Sequence, residues 1–266
     1  MSDGIALVTG ASAGLGVEFA RQLAARGVGL LLVARREERL RALALELGEE
    51  DGVRADVLAA DLSEADAAAG IEAFVRERGL RVDWLVNNAG SAGPDLLEDR
   101  DWSEQRRFFE LMMISVAELC HRFVPAMRER GFGRVINVSS FAGRLARPAG
   151  ANYGPAKAYL VALSEELALA LRASGVHVTA LCPGFTHTDF HEAAGLMDMK
   201  RALPGFIWYD AETVVREGLD AVERGKAIHV CGRIYRWLDP MAQSVWLRPL
   251  LKALAPGRPS PDDASR

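Results

Sequence analysis

Four tyrosines and four lysines occur in the 266 residues, and one pair of them forms Tyr153-Gly154-Pro155-Ala156-Lys157. Chance alone would supply roughly 0.06 pairs at this spacing, and it is the spacing that puts two side chains on one helix face. An ammonium beside a phenol favours the phenolate, so Tyr153 is suited to exchange a proton with an alcohol or a ketone. Ser140 closes the short run Val138-Ser139-Ser140, and a hydroxyl there can hold a carbonyl oxygen. The plainer alternative is a tyrosine at a helix start with an unrelated surface lysine.

A second group of residues suits phosphate. Thr9-Gly10-Ala11-Ser12-Ala13-Gly14-Leu15-Gly16 follows an apolar run and opens a helical pattern. Its glycines allow a tight turn, and the N–H groups of a helix start can receive a pyrophosphate, with Gly10, Ser12, Ala13, Gly14, Leu15 and Gly16 around it. The Gly-x-x-x-Gly-x-Gly spacing differs from the Gly-x-Gly-x-x-Gly fingerprint, and a turn that simply needs glycine is the alternative. The next apolar run ends Val33-Ala34-Arg35-Arg36, with no acid for a ribose 2′-hydroxyl. Arg35 is read as binding a 2′-phosphate, which makes NADP(H) the expected cofactor, and Arg36 as part of the solvated helix start. Two further runs end in Asp61-Leu62 and Asn87-Asn88-Ala89-Gly90. Asp61 suits either an adenine amino group or a helix cap, and the small residues allow a backbone to approach a ligand.

Such residues need a frame that gathers them at one edge. Apolar runs at 5–9, 30–34, 54–60, 84–87, 135–138, 176–181 and 227–230 alternate with helical patterns at 15–25, 37–47, 64–78, 102–130, 153–173 and 211–223. This order predicts an α/β, Rossmann-type doubly wound and mostly parallel seven-stranded sheet with helices on both faces. Ligands of such sheets lie beyond the carboxyl ends of the strands, where the candidate residues fall. Residues 1–255 read as a single domain and 256–266, rich in Pro, Ser and Asp, as a disordered tail. The net charge of −4 argues against a nucleic-acid face, and three scattered cysteines suggest no disulfide framework. The longest apolar run, 28–34, is too short to span a bilayer and no export signal is visible, so a cytoplasmic protein is expected.

From Ile5 to about Val230 the chain resembles the short-chain dehydrogenase/reductase family. The resemblance rests on Thr9-Gly10-x-x-x-Gly14-x-Gly16, Asp61-Leu62, Asn87-Asn88-Ala89-Gly90, Ser140, Tyr153-x-x-x-Lys157 and Pro183-Gly184-x-Thr186. It implies hydride transfer at a nicotinamide, with Tyr153 as acid/base and Ser140 orienting the substrate. It also implies that Lys157 serves both Tyr153 and the nicotinamide ribose, and that Thr186 meets the carboxamide or phosphates. Ala34-Arg35 looks like the NADP(H)-preferring form, and a homodimer or homotetramer is implied. One position departs from the pattern: Met112 stands where the family has an asparagine that helps hold a water behind the lysine. A thioether accepts hydrogen bonds only weakly, so the relay would need the main-chain carbonyl at 112, exposed by a local kink.

Other features have plainer readings. His187 and His191 lack a visible third ligand, so no metal is expected and they are placed at the entrance to the substrate pocket. The apolar segment 190–208 folds over the substrate by the same resemblance, which suits a mainly apolar small-molecule carbonyl or alcohol of lipid-, steroid- or polyketide-like character. Packing on the core is the alternative for that segment. The stretch from Ile234 to Leu251 carries Trp237 and Trp246; it suits self-packing or a partner subunit, with peripheral membrane contact the lesser option. An NADP(H)-dependent oxidoreductase is therefore expected, against an NADP(H)-binding regulator or a non-redox dehydratase or isomerase.

Overall fold

The central apolar runs become strands buried on both faces, while the edge run 55–59 is only half-buried. The computed structural model describes residues 4–145, 152–187 and 204–247, with 249 and 253. Nine strands appear among these: β1 Gly4–Thr9, β2 Gly29–Ala34, β3 Ala55–Ala59, β4 Arg81–Asn87, β5 Gly133–Val138, β6 Val176–Cys182, β7 Thr186–His187, β8 Tyr209–Asp210 and β9 Ile228–Val230. Seven form one sheet in the order β3-β2-β1-β4-β5-β6-β9, and every neighbouring pair is parallel. The expected seven-stranded doubly wound sheet is thus present. A second, two-stranded ribbon of β7 and β8 was not anticipated.

The helices are α1 Gly14–Ala24, α2 Glu37–Glu50, α3 Ala67–Glu77, α4 Trp102–Phe109, α5 Ser115–Arg130, α6 Tyr153–Ala170, α7 Ala211–Glu223 and α8 Arg233–Gln243. Alternate strand residues feed two cores. Val8, Leu30 and Leu32 pack with Phe19, Leu23, Leu40 and Leu219 on one face of the sheet. Leu7, Leu31 and Leu85 pack with Ile71, Leu119 and Met127 on the other. The chain winds outward in both directions from β1 and β4, so the crevice between their carboxyl ends is where a doubly wound fold takes its ligand.

A buried polar chain locks the register at that edge. Asn87 and Asn137 are partners across β4 and β5. Asn87 donates to Asn137 Oδ1 at 2.8 Å, and Asn137 donates to Ser164 Oγ on α6 at 2.9 Å. Ser164 in turn donates to the carbonyl of Leu160 at 2.7 Å. A slip of one residue would leave these amides buried without partners, at a cost of about 1–3 kcal/mol each.

The continuous helix expected over 102–130 is interrupted. A π turn at Glu110–Ile114 separates α4 from α5, with the N–H of Ser115 reaching back to the carbonyl of Glu110. Apolar residues crowd both sides of this point, and Met112 and Phe108 share a small buried cluster with Ala156 of α6. The other unexpected element is α8, held by a two-pronged ion pair from Arg144 to Asp239, with both contacts at 2.7 Å. The side chain of Tyr235 is buried and bridges the N–H of Phe185 and the carbonyl of Ile207. No helix among the described residues is long and apolar enough to cross a membrane. The tail 256–266 and most of the segment 190–208 lie outside the described residues.

Candidate active site

Lys157 is 4 % exposed, and its Nζ donates to the carbonyl of Val138 at 2.7 Å. Burial pulls its pKa down to about 8, with Cys182 acting weakly in the other direction. The lysine's own carbonyl accepts from Ser139 Oγ at 2.7 Å, so α6 is pinned to the end of β5 at this residue from both directions. Tyr153 lies one turn earlier, and Nζ is 5.7 Å from its ring centroid. The shared helix face therefore places the ammonium beside the phenol, as the spacing predicts.

Ser140 follows directly on β5 and opens a 3-10 turn at Phe141–Gly143. Its Oγ accepts from the N–H of Ala142 at 3.1 Å. A hydroxyl has one proton and two lone pairs, so this contact fixes the oxygen and leaves the proton to donate. The turn lies flat on α6: a Cβ on Gly143 would come 2.6 Å from the carbonyl carbon of Lys157, and one on Gly154 would come 3.2 Å from the carbonyl oxygen of Ala142. That close approach joins the Ser140 turn to the helix carrying Tyr153 and Lys157. The three expected residues meet at one edge of the sheet.

Met112 completes this end of the site. It is 1 % exposed, and its sulfur accepts weakly from the N–H of Ser91 at 3.4 Å. A Cβ on Gly90 would sit 3.2 Å from that sulfur and 3.7 Å from Lys157 Nζ. The thioether thus packs where the β4 turn passes the lysine. Met112 lies within the π turn, where the regular spacing of helical hydrogen bonds is interrupted.

At the other end, Thr9 ties the glycine turn to the β4 turn. Its Oγ1 accepts from the N–H groups of Asn88 at 3.0 Å and Ala89 at 3.1 Å. The Asn88 amide donates to the carbonyl of Thr9 at 2.9 Å, so this side chain braces the turn from within. Gly10 has φ +66°, and a Cβ there would meet Asn88 Nδ2 at 2.8 Å. Gly14 and Gly16 begin α1, Leu15 between them packs on the core, and Ala13 precedes the helix without offering a cap. The first turn of α1 carries no acidic residue, so its N–H groups have no side-chain acceptor there. Such a helix start fits a diphosphate.

The two arginines divide differently from the sequence reading. Arg36 is not merely the solvated start of α2: its guanidinium donates to Ser12 Oγ at 3.0 and 3.2 Å and to the Ser12 carbonyl at 3.3 Å. Arg35 is exposed, and its charge acts on Asp61. Burial pushes the Asp61 carboxyl up, but hydrogen bonds from Ser63 and the charges of Arg35 and Arg107 outweigh it and hold the group below its ordinary value. Asp61 Oδ1 caps its own turn at Ser63, and Leu62 is buried beneath it. Arg107 reaches Asp61, Ser63 and Glu64, a contact no motif announced.

Past β6, the carbonyl of Pro183 accepts from the N–H of Phe141, which ties this loop to the Ser140 turn. Gly184 abuts the Tyr235 ring, and Thr186 is buried with its hydroxyl donating to the Gly184 carbonyl at 3.2 Å. His187 is exposed and stacks on Trp208 at 5.3 Å, while Phe185 lies 5.0 Å from the same indole. His191 falls outside the described residues.

A family profile described as short chain dehydrogenase matches residues 4–198. The 3-oxoacyl-(acyl-carrier-protein) reductase FabG of Escherichia coli K12 is 34% identical over 201 residues, covering 74% of this chain and 79% of that protein. Among solved structures, a short-chain dehydrogenase from Sphingobium yanoikuyae in complex with NADPH has a TM-score of 0.80 at 29% identity, covering 97% of this chain and 99% of the other. A bulky-bulky ketone specific alcohol dehydrogenase from Comamonas testosteroni has a TM-score of 0.75 at 26% identity, with 97% of each chain covered.

Proposed function

The chain belongs to the short-chain dehydrogenase/reductase family, enzymes that act on CH–OH groups with NAD(P)H, and from that premise we propose an NADP(H)-preferring enzyme that interconverts a ketone and a secondary alcohol on a mainly apolar substrate. The observation that carries it is the buried Lys157 ammonium, held on Val138 beside the Tyr153 ring and the Gly90 turn. Nothing in a plain structural role needs a lysine taken out of water at this edge, since burying an ammonium is costly.

Each residue then has a task. The glycine turn and the start of α1 would hold the diphosphate, and Arg35 and Arg36 would meet a 2′-phosphate, whose geometry a guanidinium matches. When bound, the nicotinamide cofactor supplies or accepts the hydride. Ser140 donates to the substrate oxygen from a hydroxyl whose own oxygen is fixed by Ala142. Tyr153 gives the proton to that oxygen in reduction and takes it back in oxidation, with the Lys157 cation stabilising the phenolate left behind. Tyr153 is recharged past Lys157 toward the π turn, where a main-chain carbonyl stands in for the amide that Met112 lacks.

The apolar substrate is supported by the aromatic pair of Phe185 and Trp208 beyond β6, and by the likeness to the bulky-bulky ketone specific alcohol dehydrogenase. A panel of carbonyl compounds with NADPH, followed at the reduced-nicotinamide absorbance band, tests the reading. Oxidation of NADPH by apolar ketones is expected; a protein that binds NADPH but never changes its absorbance would overturn it.

A further inference from the structure

Tyr235 of α8 stands inside the β7–β8 ribbon. The two strands pair in parallel, Thr186 with Tyr209 and His187 with Asp210, and the N–H of Tyr209 donates to the carbonyl of Phe185 at 3.0 Å. Bonds in a parallel ladder recur at even intervals, so the next rung would run from the N–H of Phe185 to the carbonyl of Ile207. The phenol of Tyr235 takes that place. Its oxygen accepts from the N–H of Phe185 at 3.2 Å and donates to the carbonyl of Ile207 at 3.0 Å. Burial raises the pKa of this phenol, so it keeps the proton that it donates. The rung is thus widened by one oxygen atom, beside the Phe185 and Trp208 rings that lie 5.0 Å apart.

This wedge is fixed from behind. The ring of Tyr235 lies on Gly184, where a Cβ would come within 2.0 Å of it, and is 5.1 Å from the ring of Phe141, the residue after Ser140. Asp239, one turn further along α8, takes both prongs of Arg144 at the end of the Ser140 turn. The phenol is therefore held to the Ser140 turn on one side and to Phe185 and Ile207 on the other. A ketone whose oxygen meets Ser140 would find the aromatic pair at a distance that this arrangement sets. We propose that Tyr235 is a positioning residue for substrate size: its hydroxyl holds the ribbon open and so sets where Phe185 and Trp208 meet the larger side of a ketone. The proposal rests on the reductase reading, which puts the substrate oxygen at Ser140.

Tyr235→Phe tests this, because the ring keeps its packing on Gly184 while the wedge is lost. Leaving the N–H of Phe185 and the carbonyl of Ile207 without partners is unfavourable, so the rung should close directly and the ring pair should shift. A crystal structure of the variant reads this without any turnover, and an unchanged rung would overturn the proposal. In kinetics with NADPH, cyclohexanone serves as the small ketone and valerophenone as the large one. The KM for valerophenone is expected to rise about fivefold or more, while its kcat, the KM for cyclohexanone and the affinity for NADPH stay within about twofold. A merely structural role would instead lower kcat for both ketones alike, and that result would refute the assignment. So would an unchanged KM for valerophenone, or a parent protein that reduces cyclohexanone and leaves valerophenone untouched. A parent that oxidises no NADPH with either ketone marks failure of the reductase reading, a distinct outcome.

Discussion

The ammonium of Lys157 rests on the carbonyl of Val138, 2.7 Å away, so the charge beside the Tyr153 ring is held by the strand's own backbone. One neutral acceptor offsets little of the cost of taking a lysine out of water, and its pKa falls from 10.5 to about 8.

This predicts a stability cost with a defined pH window. Below about pH 8 the lysine is charged in both folded and unfolded chains, and the cost is present in full. Between about 8 and 10.5 the folded chain releases its proton first, so stability rises with pH; above that both forms are neutral. The span corresponds to about 3 kcal/mol. Lys157→Met should abolish turnover yet leave stability at pH 7 unchanged or raised by up to about 2 kcal/mol, once the lost bond to Val138 is deducted. Urea melts of both proteins from pH 7 to 10.5 should show the wild type gaining on the variant; a variant weaker by about 3 kcal/mol at pH 7 would refute this account.

Cofactor choice should depend on both arginines. Arg35→Ala removes a charge-assisted phosphate contact worth about 1.5–3 kcal/mol, a loss of tenfold or more in NADPH affinity with little change for NADH. Arg36→Ala should weaken NADPH as well, because it also frees Ser12 in the glycine turn. Titration of each variant with both cofactors measures the effect, and equal binding of NADPH and NADH by the unaltered protein would contradict it.

Tyr153→Phe keeps the ring beside Lys157 and removes the transferable proton. Turnover should fall by about 10²–10⁴ while NADPH binding persists. If half the rate survived with a ketone substrate, another donor would have to act, and His187 on the Trp208 face would be the first to replace.

Met112→Asn restores an amide at the position that departs from the family. If the relay runs through the main chain of the π turn, turnover should change by less than about tenfold, or 1.4 kcal/mol, in either direction. A parent inactive across the panel beside an active Met112→Asn would show that the side chain was needed.

The frame was legible because strands buried on both faces must be almost wholly apolar, as Leu30-Leu31-Leu32-Val33 is. Tyr153 and Lys157 were legible because a helix converts a four-residue step into adjacency. Which of two adjacent arginines faces the glycine turn was not, since it depends on where the chain leaves β2: Arg36, just before α2, has φ −91° and ψ 86°, and this residue turns back to Ser12. Helix α8 was hidden by Pro240, which reads as a helix breaker. The π turn was hidden too, since Phe108-Phe109 and Leu111-Met112-Met113-Ile114 are apolar at every spacing and fit a regular helix equally well.

A π turn amounts to one surplus residue in an otherwise regular helix. Removing Leu111 would let α4 and α5 merge into one continuous rod, drawn in by about 1.5 Å and rotated by about 100° on one side of the join. Gln105, whose amide oxygen accepts from Asn152 just ahead of Tyr153, and Phe108, packed near Met112, would swing away from α6 together. The length of this helix, and not its composition alone, therefore sets the angular alignment of the wall packed against the start of α6. Substitutions along α4 should be tolerated far better than any single-residue insertion or deletion.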